Sequence, residues 1–133
     1  MMLVDIRNYK NINEIRRAVH GDNVLTAIGS LLKKRFRTTD IIGRVGLSEF
    51  AVYIKDIPTD TLAYDKAEEL CKTLESLHTY EHTKSSLVIS IGITLQKGGQ
   101  EFQTVFANAN TALVMAKKLP TSAFEVFCGT ATS

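Results

Sequence analysis

Tryptophan is absent from this sequence of 133 residues, and proline, cysteine and histidine number only two, two and three. Each scarcity excludes something. Cys71 and Cys128 are too few for a disulfide framework and belong to no C-x-x-C pair, so a reducing, cytoplasmic setting fits them best. Of His20, His78 and His82, only the last two stand at an i,i+4 spacing. They fall on an expected helix end running into a loop, a poor place for zinc. No apolar run approaches the roughly 18–20 residues that span a bilayer, and no signal peptide opens the chain, so direct membrane insertion is not expected. Aromatic residues make up 8% of the chain and form no stripe with the basic ones, which argues against nucleic acid as a partner. Internal repeats, linkers and low-complexity segments are missing too, and Gly129 to Ser133 reads as a frayed tail.

What remains is the composition of an ordinary globular domain. Hydrophobic residues account for 44% and charged ones for 23%, and a chain of this size buries roughly two-thirds of its unfolded surface. The net charge of +2 conceals an asymmetry. Up to Arg44 there are nine Lys and Arg against four acids, and beyond it seven Lys against ten acids. Every arginine lies in the first third, where a polyanionic ligand would meet their forked donors. A solvated helix face is an equally good reading of Arg16, Arg17, Lys33 and Lys34.

Hydrophobic periodicity predicts the order β-α-α-β-β-α-β-α-β. Met1 to Ile6 is a short apolar run with a carboxylate near its end, a buried strand. Asn11 to Val19 is a short helix closed by His20-Gly21. Asp22 caps a longer one over Asn23 to Phe36, with Val24, Leu25, Ile28, Leu31, Leu32 and Phe36 at helical spacing. Ile41 to Val45 and Glu49 to Ile54 form a hairpin around Gly46-Leu47-Ser48. After the turn at Pro58-Thr59-Asp60, Leu62 to Leu77 is an amphipathic helix with Ala63, Ala67, Leu70, Leu74 and Leu77 inward. Leu87 to Leu95 is a central strand, Phe102 to Leu119 a helix stopped by Pro120, and Ala123 to Cys128 a last strand. The hairpin makes the sheet mixed, so the fold class is α+β: a palm-like, ferredoxin-like sheet flanked by helices, and not a doubly wound one.

Several ordered pieces of the chain resemble the GGDEF domain family, the diguanylate cyclases. They are Asp5-Ile6-Arg7-Asn8-Tyr9-Lys10-Asn11-Ile12-Asn13-Glu14, Gly21-Asp22, and Arg44-Val45-Gly46-Leu47-Ser48-Glu49-Phe50. Ser90-Ile91-Gly92-Ile93, and Ala109-Asn110-Thr111-Ala112-Leu113 followed by Ala116-Lys117, are similar to two further family segments. The resemblance implies one nucleotidyl-cyclase-like domain over residues 1–128, lacking the family's opening helix. It also implies a chemistry. Family members condense two GTP molecules, one on each subunit of a dimer, into cyclic di-GMP, using divalent cations held by carboxylates. Asp5 matches the first of those acids. Ser48 stands where the signature has the second, Arg7 replaces the second acid of the D-x-D stretch, and Leu47 replaces a glycine.

Those departures set the expectations for function. Arg7 lies two places from Asp5 on the same strand face, so its charge is expected to repel Mg²⁺ and pair with the carboxylate. Leu47 adds bulk where a phosphate or ribose would approach, although a turn beginning at Gly46 can still form. Glu49 and Arg44 are retained, but Glu49 is next to Ser48 and is expected to point to the other face.

By resemblance, Asn13 and Asp22 contact guanine and Lys117 a phosphate. Asp22 serves equally as an N-cap, Asn13 as a loop residue, and Lys117 as a helix-end cation. Thr121 stands where the family tends to carry an arginine. Arg37-Thr38-Thr39-Asp40 is similar to the R-x-x-D inhibitory site that binds the product, with Arg suited to guanine O6/N7 and Asp to N1/N2. A solvated helix end and a hairpin opener explain the same two residues.

The expected function is therefore that of a degenerate, non-catalytic GGDEF domain that binds cyclic di-GMP or GTP as a regulatory module. Mg²⁺ is needed only if GTP is still bound, and the partners are a second copy or neighbouring signalling domains. The alternatives are an active diguanylate cyclase and a purely structural dimerisation domain.

Overall fold

The two most apolar short runs of the sequence form the middle of the sheet. In the computed structural model, which describes residues 1–7, 28–46, 48–54, 60–75, 88–95 and 101–127, every residue of strands β1 (Met2–Ile6) and β4 (Ile89–Ile93) is buried. Strands without an apolar-polar alternation need cover on both faces. They get it from the helices on either side.

The hairpin strands β2 (Ile41–Arg44) and β3 (Glu49–Tyr53) lie at one edge, and β5 (Ala123–Val126) at the other. The spatial order is β2-β3-β1-β4-β5. All pairs are antiparallel except β4 with β5. A parallel pair requires a crossover, here supplied by helix α3 (Phe102–Lys117). The sheet is mixed, as the sequence predicts, and the described strands each fall within one or two residues of their expected limits.

One face of the sheet carries Met2, Val4, Ile6, Phe50, Val52, Ile89, Ile91 and Ile93. Against it pack Ile28 and Leu32 from helix α1 (helical over residues 28–35), Phe36 just past its end, and Ala63, Ala67, Leu70 and Leu74 from helix α2 (Asp60–Glu75). These are the inward positions that the helical spacing predicts. Burying each Leu or Ile contributes about 1.5–3 kcal/mol. Leu3 and Ala51 point to the other face and meet Ala109 and Leu113 of α3. That contact is close, because Gly92 lies opposite Leu3 in the sheet. A Cβ added at Gly92 would come within 2.3 Å of both the Ala109 carbonyl oxygen and the Leu113 nitrogen. The missing side chain lets α3 sit directly on the strand, and its last turn then lies over the end of β1.

The end of α1 is tied to α2. Lys66 donates to the Arg35 carbonyl (2.8 Å) and stands over the Phe36 ring, 5.4 Å from its centroid. Arg35 pairs with Glu69 at 3.0 Å, a half-exposed bridge contributing about 0–1 kcal/mol. Together these contacts fix the corner where α1 gives way to β2.

Several expectations lie outside the described residues: the helix over Asn11–Val19, the start of the helix at Asn23, Leu47, the turn at Pro58, Leu77, the His78–His82 pair, Cys128 and the tail from Gly129. Among the described residues no helix is long and apolar enough to cross a membrane.

Candidate functional site

Three chain segments meet around Asp5: the end of β1, the start of β3 and the last turn of α3. Asp5 is buried near the end of its strand. Its two carboxylate oxygens have different partners. Ser48 donates its hydroxyl to Oδ1 at 3.1 Å, and the Lys117 ammonium stands 3.2 Å from Oδ2. The lysine is half-exposed while the carboxylate is almost entirely covered. Ser48 is brought there by the sheet ladder, in which the Ile6 amide donates to the Ser48 carbonyl at 2.9 Å. Lys117 is brought there by the close seating of α3 on Gly92.

Arg7 does not pair with Asp5 in this arrangement. Its amide extends the β1–β4 ladder by donating to the Val88 carbonyl (2.9 Å), and its guanidinium donates to the Leu119 carbonyl just past α3. The cation next to Asp5 is Lys117 instead. The expected Arg7–Asp5 pair is absent, and the countercharge comes from a residue 112 positions away.

Glu49 also differs from expectation. The register sets it directly across from Asp5, so alternation places it on Asp5's face of the sheet. Its carboxylate lies back over the turn, where a Cβ at Gly46 would stand 3.8 Å from Oε2. Arg44 closes the same turn by donating from Nε to the Gly46 carbonyl at 3.1 Å.

Ser90, which opens the S-I-G segment, lies opposite Asp5 on the next strand. Its hydroxyl is fully buried and finds no hydrogen-bond partner among the described residues. Alternation along β4 could have flagged it, since it shares a face with Gly92.

A divalent cation needs several hard oxygen donors converging on it. Among the described residues both Asp5 carboxylate oxygens are engaged, one by the Ser48 hydroxyl and one by the Lys117 ammonium, while Glu49, across the ladder, lies back over the turn at Gly46. Among the described residues no three His, Cys, Asp or Glu side chains come together to hold a metal. The described residues do not fit the catalytic cation that the family resemblance implies.

The second cluster is the corner between α1 and β2. The Asp40 carboxylate accepts from the Arg37 backbone amide (3.0 Å), from Nε (3.4 Å) and from Nη2 (3.1 Å). The Asp40 amide donates back to the Arg37 carbonyl at 2.9 Å. The Asp40 side chain is 2% exposed and that of Arg37 51%. The R-x-x-D spacing therefore closes on itself, with the acid inside and part of the guanidinium at the surface. Asp40 faces Arg37 here, where the sequence reading has it facing a guanine edge. Asn13 and Asp22 lie outside the described residues. Lys117, expected on a phosphate, is on Asp5, and Thr121 is exposed.

Residues 1–122 match the family model described as diguanylate cyclase, GGDEF domain. The chain is 30% identical over 131 residues to the diguanylate cyclase DgcP of Pseudomonas aeruginosa, covering 95% of this chain and 19% of that protein. It covers 19–34% of the first curated relatives that it matches. Its fold is similar to that of the active GGEEF domain of a diguanylate cyclase from Vibrio cholerae, with a TM-score of 0.84 at 22% identity over 97% of this chain and 82% of that one. It is likewise similar to the GGDEF domain of DgcB from Caulobacter crescentus in complex with c-di-GMP, with a TM-score of 0.82 at 19% identity over 94% and 75% of the two chains.

Proposed function

The chain belongs to the GGDEF family, and on that footing we propose that it keeps the cyclase fold without the cyclase chemistry, serving as a guanine-nucleotide-binding regulatory module within a longer signalling protein. The observation that carries this reading is the state of Asp5, whose oxygens are held by Ser48 and Lys117. Metal-assisted attack of a 3′-hydroxyl on an α-phosphate needs a cation clamped by acids at that place. A single carboxylate bound to an ammonium does not provide the clamp.

Cyclic di-GMP is the preferred ligand, at the Arg37–Asp40 corner. Buried Asp40 orients the guanidinium, so Arg37 meets a guanine O6/N7 edge or a phosphate without first being ordered. The basic surplus of this part of the chain favours the same dianion. The relative from Caulobacter supports the choice of ligand, since its structure contains c-di-GMP.

Calorimetric titration in EDTA tests this. Cyclic di-GMP is expected to bind without metal and less tightly as salt rises. Arg37→Ala is expected to weaken binding by about 1–3 kcal/mol, roughly five- to 150-fold. No heat at high micromolar ligand, or unchanged binding in Arg37→Ala, would refute the receptor reading in favour of a structural dimerisation domain. A parallel titration with GTP separates binding near Asn13 and Asp22 from binding at the corner.

A further inference from the structure

The segment that leaves α3 is pinned to the sheet at three successive points. Lys117 reaches Asp5, Arg7 reaches the Leu119 carbonyl, and Ser122 Oγ accepts from the Ile89 amide at 2.9 Å. The last turn is closed by Lys118 donating to the Met115 carbonyl and Leu119 to the Ala116 carbonyl, both at 3.1 Å. Pro120 prevents the helix from continuing, which leaves the Leu119 carbonyl in need of a donor from elsewhere. Arg7 supplies it.

The two cations run in opposite directions. One extends from α3 to a strand carboxylate, and the other from just past that strand to the end of α3. Both also complement the negative end of the helix dipole.

We infer that Arg7 and Lys117 form a two-cation clamp that holds the end of α3 over β1 and gives Asp5 its countercharge from within the chain, so that this part of the domain is ordered without a divalent cation or a nucleotide. Arg7 thus has a structural role of its own beyond the loss of an acid. The clamp is independent of whether the Arg37–Asp40 corner binds a ligand.

Hydrogen exchange followed by mass spectrometry in EDTA tests it, on the wild type and on Arg7→Met and Lys117→Met, which keep an apolar stem and lose the charged head. Peptides over residues 117–122 are expected to exchange at least about threefold faster in each variant, with α2 unchanged. Lys117→Arg, which can still reach the carboxylate, is expected to recover most of the protection. Millimolar Mn²⁺ is expected to leave the wild-type melting temperature where it is. Wild-type exchange over 117–122 in either methionine variant would overturn the clamp. So would a Mn²⁺-induced rise in melting temperature that Asp5→Asn abolishes.

Discussion

Gly92→Val is expected to leave the protein unfolded or in inclusion bodies, and Gly92→Ala to lower its stability by about 3 kcal/mol or more. The cause is steric. A Cβ at position 92 would lie 2.3 Å from the Ala109 oxygen, 2.3 Å from the Leu113 nitrogen and 2.7 Å from the Leu113 Cα, all backbone atoms of α3. Backbone cannot rotate aside as a side chain can. The helix must lift off the sheet, which uncovers Leu3, Ala109 and Leu113 together and withdraws Lys117 from Asp5. By contrast, a Cβ at Gly43 would meet nothing within 4 Å, so Gly43→Ala is a control expected to fold normally. Urea denaturation of the two alanine variants makes the comparison. Equal midpoints would show that α3 does not sit on β4 as described.

Asp40→Ala is expected to destabilise the domain by about 2–3 kcal/mol, more than a surface acid ordinarily would. Its carboxylate is almost fully buried and accepts three hydrogen bonds from Arg37, one of them from the backbone. Removing it leaves the Arg37 amide without that acceptor at the turn joining α1 to β2. Asp40→Asn, which keeps one acceptor oxygen and loses the charge, is expected to fall between wild type and alanine. Chemical denaturation of both variants measures this. An alanine variant as stable as wild type would mean that the Asp40 carboxylate does not hold the corner.

The sheet, its hairpin and the inward faces of α1 and α2 were legible in the sequence because they rest on short periods. Leu70 and Leu74 follow from helical spacing, and the fully apolar runs around Val4 and Ile91 announce strands covered on both sides. The site was only half legible. Asp5 and the departures at Arg7 and Ser48 could be read by position. The salt bridge that matters joins residues 5 and 117, and which cation reaches the carboxylate depends on how closely α3 approaches β4. Gly92 could be recognised in the S-I-G segment, but its packing role needed the helix in place. Alternation counted from Ser48 places Glu49 on the far face. The ladder register pairs it with Asp5. Asp40 could be found from R-x-x-D, but its burial could not.

The proposed loss of cyclase chemistry at Asp5 can be tested in one incubation. The purified protein, at high concentration, is mixed with GTP and Mg²⁺ or Mn²⁺, and cyclic di-GMP is quantified by mass spectrometry. No product is expected from the wild type. The combined Arg7→Asp, Leu47→Gly, Ser48→Asp variant, which restores the acids and the glycine of the family pattern, is the one in which turnover should first return. Cyclic di-GMP made by the wild type and lost in Asp5→Ala would contradict the claim, because Asp5 would then be holding a cation despite Lys117.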